Sequence, residues 1–210
     1  LSTRAGKPTN ALFGFIKMLQ QLEQLWKPTH WCVVFDGGTP EERLSRLPTY
    51  KAQREPMPDP LRAQLPDIER YLDTAGVLSV RMERQEADDV IATLAFTTAS
   101  DVLIATSDKD LYQLIDERVF MVSPSKAGVR IGSAEVVEKT GVRPGKIVEW
   151  LSLTGDTVDN IPGVPGVGPK TAAKLLDQFG SLENLWAKLG EVSSEKLRDA
   201  LAAHREDVMR

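Results

Sequence analysis

Trp31-Cys-Val-Val-Phe-Asp-Gly-Gly38 is a run of five apolar residues ended by an acid and two glycines. A continuous run of that length reads as a strand covered on both faces, the habit of parallel sheets. Val102-Leu-Ile-Ala105 repeats the pattern and leads into Thr106-Ser-Asp-Lys-Asp110. Between the two lie a weaker strand over 77–82 and a helix over 86–98. Before the first, Leu12, Phe15, Ile16, Leu19, Leu22 and Leu25 form one stripe of a helix over 10–26, stopped by Lys27-Pro28. Asp59 as N-cap and Pro60 open a further helix that Gly76 closes, 108–115 is helical, and 119–122 is a strand. Strands alternating with helices predict an α/β fold, a mostly parallel sheet wrapped by helices. After Ser133 only helices follow, over 133–140, 144–154, 169–178, 181–189 and 194–205. The expected organisation is an α/β core over 1–132, with a basic arch at about 40–58, and a helical subdomain over 133–210 with a hairpin at 144–178.

The chain has 210 residues, 41% apolar and 27% charged, enough to bury a core and too apolar for disorder. Its longest apolar runs, such as Ala11–Ile16, cannot span a bilayer, so no membrane partner is expected. Leu1-Ser-Thr-Arg-Ala-Gly6 does not read as a secretory leader. Cys32 is the one cysteine, which excludes a disulfide framework and suits a reducing cytoplasm; amid apolar neighbours it reads as a core residue. His30, ahead of a strand, reads as structural. The net charge is −4, so nucleic-acid binding would need local basic patches.

Eight acids recur at strand ends and helix starts: Asp36, Glu86, Asp88, Asp89, Asp108, Asp110, Asp156 and Asp159. In an open α/β sheet, ligands bind in the crevice outside the carboxyl ends of the strands, where the first six should converge. Asp156 and Asp159 come from the helical part and can close the site from above. Singly, each acid can be a cap or a turn residue. As a set they are costly, since two like charges about 4 Å apart repel by about 4 kcal/mol at an effective dielectric near 20. Cations between them remove that cost. Oxygen-only ligands select hard ions, Mg²⁺ or Mn²⁺, and this many carboxylates suggest two of them, the clamp used for in-line attack at phosphorus. No Ser-His-Asp set or phosphate loop competes with this reading.

Arg43, Arg46, Lys51 and Arg54 lie in a stretch without acids, with Tyr50 beside Lys51. Such an arch can hold backbone phosphates by charge and offer an aromatic ring to a base. A Lys or Arg reaching the metal site would stabilise charge on the transferred phosphate. Gly163-Val-Pro-Gly-Val-Gly-Pro-Lys-Thr-Ala172 is the most specific local signal. Gly163, Gly166 and Gly168 let a backbone come close to phosphate, and Lys170 and Thr171 stand at the start of the next helix. The flanking helices make a hairpin suited to gripping duplex backbone without reading sequence.

Val34-Phe-Asp36, Tyr50-Lys-Ala-Gln-Arg54, Glu86-Ala-Asp-Asp-Val90, Thr106-Ser-Asp-Lys-Asp110, Gly155-Asp-Thr-Val-Asp-Asn160 and Gly163–Ala172 together resemble the 5′-nuclease family. That family comprises the N-terminal domain of bacterial DNA polymerase I, stand-alone 5′–3′ exonucleases and flap endonucleases. The resemblance implies a PIN-like core with a helix-hairpin-helix subdomain, and a monomeric, Mg²⁺-dependent, structure-specific 5′ nuclease of the bacterial nucleoid. Its implied partners are branched or 5′-flap duplex DNA and a fused or associated polymerase, with K⁺ at the hairpin. By motif, the eight acids carry over as metal-site carboxylates, Lys51 and Arg54 as residues on the reacting phosphate, and Arg43 as a basic arch position.

The family begins with a strand ending in Asp-Gly that supplies a further carboxylate, and no such strand stands in 1–10. The expectation is that it lies upstream of Leu1, that the last helix is cut at Arg210, and that without that strand the sheet is left with an unfilled edge or gap. The loop Gly37–Glu42 also lacks the aromatic residue often found before Arg43. Two rival readings stand beside the nuclease. One is a catalytically impaired module that binds branched DNA, and the other is a Mg²⁺ phosphatase with Asp36 as nucleophile.

Overall fold

The computed structural model describes residues 1–4 and 6–209. In chain order these form α1 (Asn10–Trp26), β1 (Cys32–Phe35), α2 (Glu41–Arg46), α3 (Asp59–Arg62), α4 (Leu65–Ala75), β2 (Leu78–Arg81), α5 (Ala87–Thr97), β3 (Val102–Ala105), β4 (Val119–Val122) and β5 (Arg130–Ile131). The helical part follows as α6 (Ser133–Thr140), α7 (Ile147–Thr154), α8 (Pro169–Phe179), α9 (Leu182–Ala187), α10 (Glu195–Ala203) and α11 (Arg205–Met209). The stripe read from the sequence gives α1 its bounds. Leu19 and Leu22 are buried, and Lys27 closes the helix in a left-handed conformation ahead of Pro28.

Three elements differ from expectation. The helix over 59–76 is broken into α3 and α4, with Asp59 as the first helical residue after Pro58 rather than as the cap. Gly76 does close α4, at φ +68°. Lys109–Leu114 is a 3₁₀ helix rather than an α-helix, a short connector begun by the Asp108 carboxylate accepting from the Asp110 amide at 2.9 Å. The last predicted helix divides at His204 into α10 and α11.

The strands form two ladders. β1 pairs β2 in parallel, from Cys32–Leu78 to Phe35–Arg81. β3 pairs β4 in parallel, and β5 joins β4 antiparallel. No ladder joins these sheets among the described residues. No residue of β1 is fully buried, contrary to a strand covered on both faces. Cys32 is exposed instead of lying in a core, and His30 is exposed beside the Thr29 hydroxyl.

The principal core runs from α5 to α11 without a break. It takes in Ala95, Ile104, Met121, Val136, Trp150, Leu153, Leu176, Leu185 and Leu201. The N-terminal elements have only a small core of their own, Leu19, Ile68, Leu72 and Val77. A bridge of Leu22, Val122 and Ala127 fastens α1 to β4. Among the described residues no helix is long and apolar enough to cross a membrane.

Candidate active site

The carboxyl ends of the strands and the loop after α7 deliver acids to one cavity of about 430 Å³, lined by Glu86, Asp88, Asp89, Asp110 and Asp159 together with Arg43, Arg46 and Tyr50. Glu86 occupies the N-cap position of α5 but caps nothing. Its side chain turns inward instead and is almost fully buried. There it pairs with Arg43, accepts from Lys51 Nζ at 2.8 Å and lies 3.0 Å from the Tyr50 hydroxyl. Asp88 and Asp89 share the first turn of α5, where the helix dipole favours negative charge.

Three cations stand between the acids. Arg43 joins Glu86 to Asp89, with the latter at 2.6 Å. Lys51 joins Glu86 to Asp159, the second at 3.7 Å. Lys109 joins Asp156 to Asp110, the latter at 3.5 Å. Hydrogen bonding to Asp156 and the two carboxylate charges raise the Lys109 pKa although burial alone would lower it. Burial likewise opposes ionisation of Asp156, but bonds from Lys109 and the Val158 and Asp159 amides hold its pKa below the usual range.

Asp88 and Asp110 have the opposite balance. Burial pushes both carboxyls up, and the Asp108 charge pushes each further, with Asp159 adding to both. Asp110 Oδ1 is buried without a hydrogen bond, the 3.5 Å approach of Lys109 being its ionic neighbour. Desolvated, mutually repelling carboxylates and a free buried oxygen are a donor set that fits a hard divalent cation. Among the described residues no three acidic, His or Cys side chains are grouped tightly enough to chelate one ion. Glu86, Asp89, Asp110, Asp156 and Asp159 pair with Arg or Lys rather than with one another, and Asp108 accepts from the Asp110 amide.

The base of the arch is sewn to the loop after α7. Lys51 N–H donates to Asp159 O at 3.1 Å, Asn160 Nδ2 to Thr49 O at 2.7 Å, and Gln53 Nε2 to Thr157 O. Tyr50 is buried, with its hydroxyl 3.2 Å from Asp159 as well as beside Glu86. Burial, and then the Asp159 charge, raises its pKa. The ring is thus not available to stack on a base, as the sequence reading has it. Tyr50 ties the arch to the acids.

In the glycine segment Val164 and Val167 are buried anchors, while Gly166 and Gly168 are open to solvent. Gly166 sits at φ +84°, a conformation natural to glycine. Gly163 has a different reason: a Cβ there would strike the backbone of Thr154 and Gly155, so it packs the hairpin instead of facing a ligand. Trp150 Nε1 donates to Pro169 O at 3.1 Å and locks α7 to α8. Lys170 is exposed at the first turn of α8, and Thr171 is half-buried beside it.

Seven of the eight predicted acids therefore share one electrostatic neighbourhood. Asp36 does not join them: it is exposed, and its carboxylate accepts from the Gly38 amide at 2.8 Å in a local turn. Arg54 is exposed away from the cavity lining, whereas Lys51, its side chain 11% exposed, pairs with two residues of that lining, Glu86 and Asp159. Arg46 lines the cavity mouth and pairs with Glu42 one turn away. The sequence reading gave no role to Lys109 or Asn160. Both lie within quoted motifs, between or beside the acids, and that position was the available signal.

Residues 1–141 match the family model of the 5′-3′ exonuclease N-terminal resolvase-like domain, and residues 142–210 that of the 5′-3′ exonuclease C-terminal SAM fold. The chain belongs to the 5′-3′ exonuclease family. It is 43% identical over 194 residues to a 5′-3′ exonuclease of Aquifex aeolicus, covering 90% of this chain and 67% of that protein. It is 41% identical over 213 residues to the thermostable DNA polymerase I of Thermus thermophilus, covering 99% of this chain and 25% of the polymerase. Thus it spans about a quarter of the polymerase I relatives it matches. Among solved structures, T5 5′-exonuclease with bound zinc aligns at a TM-score of 0.80 and 21% identity, covering 98% of this chain and 80% of that one. The catalytic core of Rad2 in complex with DNA substrate aligns at 0.61 and 16% identity, over 99% and 67% of the respective chains. These two likenesses speak for the fold.

Proposed function

We propose that the chain is a structure-specific 5′ nuclease that hydrolyses phosphodiesters at 5′ ends and flaps of branched duplex DNA, RNA primers included. Its place is beside a DNA polymerase in replication and repair in the bacterial cytoplasm, a setting supported by the polymerase I relatives. The observation that carries the reading is the gathering of carboxylates from α5, the β3 end and the loop after α7 around one cavity bordered by arch cations. Family membership supports it independently.

Glu86, Asp88, Asp89, Asp108, Asp110, Asp156 and Asp159 would hold Mg²⁺ or Mn²⁺, two ions being the count the charge suggests. Bound there, the ions supply Lewis-acid polarisation of the phosphate and of the attacking water. Lys51 points its ammonium into the same space and can stabilise charge developing on the transferred phosphate. Arg43 lies between Glu86 and Asp89 and can do the same from the arch side. The amides of Gly166 and Gly168 and the Lys170 ammonium offer a sequence-independent grip on duplex phosphates, with K⁺ bound at the hairpin beside them.

A labelled 5′-flap duplex with Mg²⁺ tests the assignment. Asp108→Ala should cut at least about 10³-fold more slowly, within the range for loss of a preorganised electrostatic group, and still bind. Lys170→Ala should weaken duplex binding and lower the salt slope by about one. Cleavage by Asp108→Ala at the unsubstituted rate would overturn the metal assignment.

A further inference from the structure

We propose that Asn160 is a positioning residue: its side chain fixes the turn that holds the Lys51 ammonium between Glu86 and Asp159. The inference rests on the nuclease reading and deepens it. Lys51 has φ +53° and Asn160 has φ +56°, two of only four non-glycine residues at positive φ among those described. Asn visits that region readily because its short polar side chain bonds locally; Lys has no such preference. Lys27 takes this conformation as the ordinary end of a helix, whereas Lys51 lies outside any helix and is held there by its own surroundings.

The surroundings of Lys51 are specific. Its amide donates to Asp159 O at 3.1 Å, and its ammonium reaches Glu86 at 2.8 Å and Asp159 at 3.7 Å. The turn itself is closed by Ala52 N–H to Thr49 O and Arg54 N–H to Lys51 O. Asn160 Nδ2 donates to that same Thr49 carbonyl at 2.7 Å, the shorter of the two bonds it accepts. One residue beyond α7 thereby fixes the carbonyl of Thr49, 111 residues earlier, in the turn from which Lys51 projects.

Asn160→Gly keeps the left-handed backbone free of strain and deletes the amide, whereas Asn160→Asp keeps the shape and turns the donor into an acceptor. Amide hydrogen exchange of residues 49–54 in the full, metal-free chain reads the turn directly. Both variants should speed exchange at Lys51 at least tenfold and leave α8 unchanged. In flap cleavage both should lower kcat about tenfold at unchanged KM, and neither should lower it further in a Lys51→Ala background. Unchanged exchange at Lys51 overturns the proposal whatever the cleavage result. So does faster exchange with kcat intact, or a loss that adds to that of Lys51→Ala. An unsubstituted chain that never cuts a flap strikes the nuclease reading instead, and the exchange experiment still decides whether Asn160 sets the place of Lys51.

Discussion

Leu153 in α7 and Leu72 in α4 are equally hidden from solvent, yet their surroundings differ in kind. Leu153 belongs to a core that continues from α5 through the helical part to Val208. Leu72 belongs to a cluster of four buried residues between α1 and α4, edged by half-buried side chains such as Phe15 and Phe35. The difference teaches where the site's rigidity comes from. Asp108, Asp110, Asp156 and Asp159 stand on elements rooted in the large core, and Lys51 reaches Asp159 from an arch whose helix α2 buries no residue. Truncating each leucine breaks or sharpens the contrast. Leu153→Ala should cost about 4–5 kcal/mol, the upper end for a site that cannot collapse, and Leu72→Ala about 3 kcal/mol, because the thin layer above it can settle. Urea unfolding of both variants measures the difference, and equal losses would erase the distinction.

The halves also satisfy their backbones differently. Gln64 is 1% exposed, and its Oε1 accepts from the Ala11 and Leu12 amides at 2.9 and 3.2 Å. Its Nε2 donates to Pro60 O at 2.7 Å and to Asn10. One distant side chain thus caps α1, where Thr9 makes no cap bond. In the helical part local caps open α9 and α10, Ser181 bonding the Asn184 amide and Ser194 the Leu197 amide, with Glu149 adding a bond to the Leu182 amide at 3.0 Å. Gln64→Leu should therefore cost about 2 kcal/mol by orphaning buried groups, with fraying seen as faster amide exchange at the start of α1. Unaltered exchange at Ala11 and Leu12 would show that α1 does not depend on it.

What could be read in advance divides along the same line. α1, β3, β4 and α6 follow from apolar period and capping chemistry, and six quoted motifs lead to the acids because strand ends face one crevice. The break between α3 and α4 was hidden because Gln64 looks like any surface glutamine until its long-range partners are known. Burial of Tyr50 was hidden for a like reason: Asp159, which meets its hydroxyl, is 109 residues away. Asp36 follows a strand as expected, but a local turn with Gly38 engages its carboxylate, and among the described residues β1 pairs with β2 alone.

The smallest expected effect isolates one local device of the better-packed half. The Asp116 carboxylate accepts from the Arg118 and Val119 amides, both at 2.7 Å, just before β4. Those two backbone bonds hold its pKa below the ordinary carboxylate value. A depressed native pKa contributes stability that is fully present above the unfolded value, near pH 4, and is lost as pH falls through the native one. Asp116→Asn keeps an acceptor and removes the charge. Because the group is exposed, solvent screening should hold the loss at pH 7 under about 1 kcal/mol. The gap between variant and unsubstituted chain should stay constant from pH 7 to about 5 and narrow below about 4, as the native carboxylate takes up its proton. Urea midpoints at pH 7 and pH 3 read this, provided both unfold reversibly. A gap unchanged at pH 3 would mean that the shape of the turn, and not its charge, holds the strand entry in place.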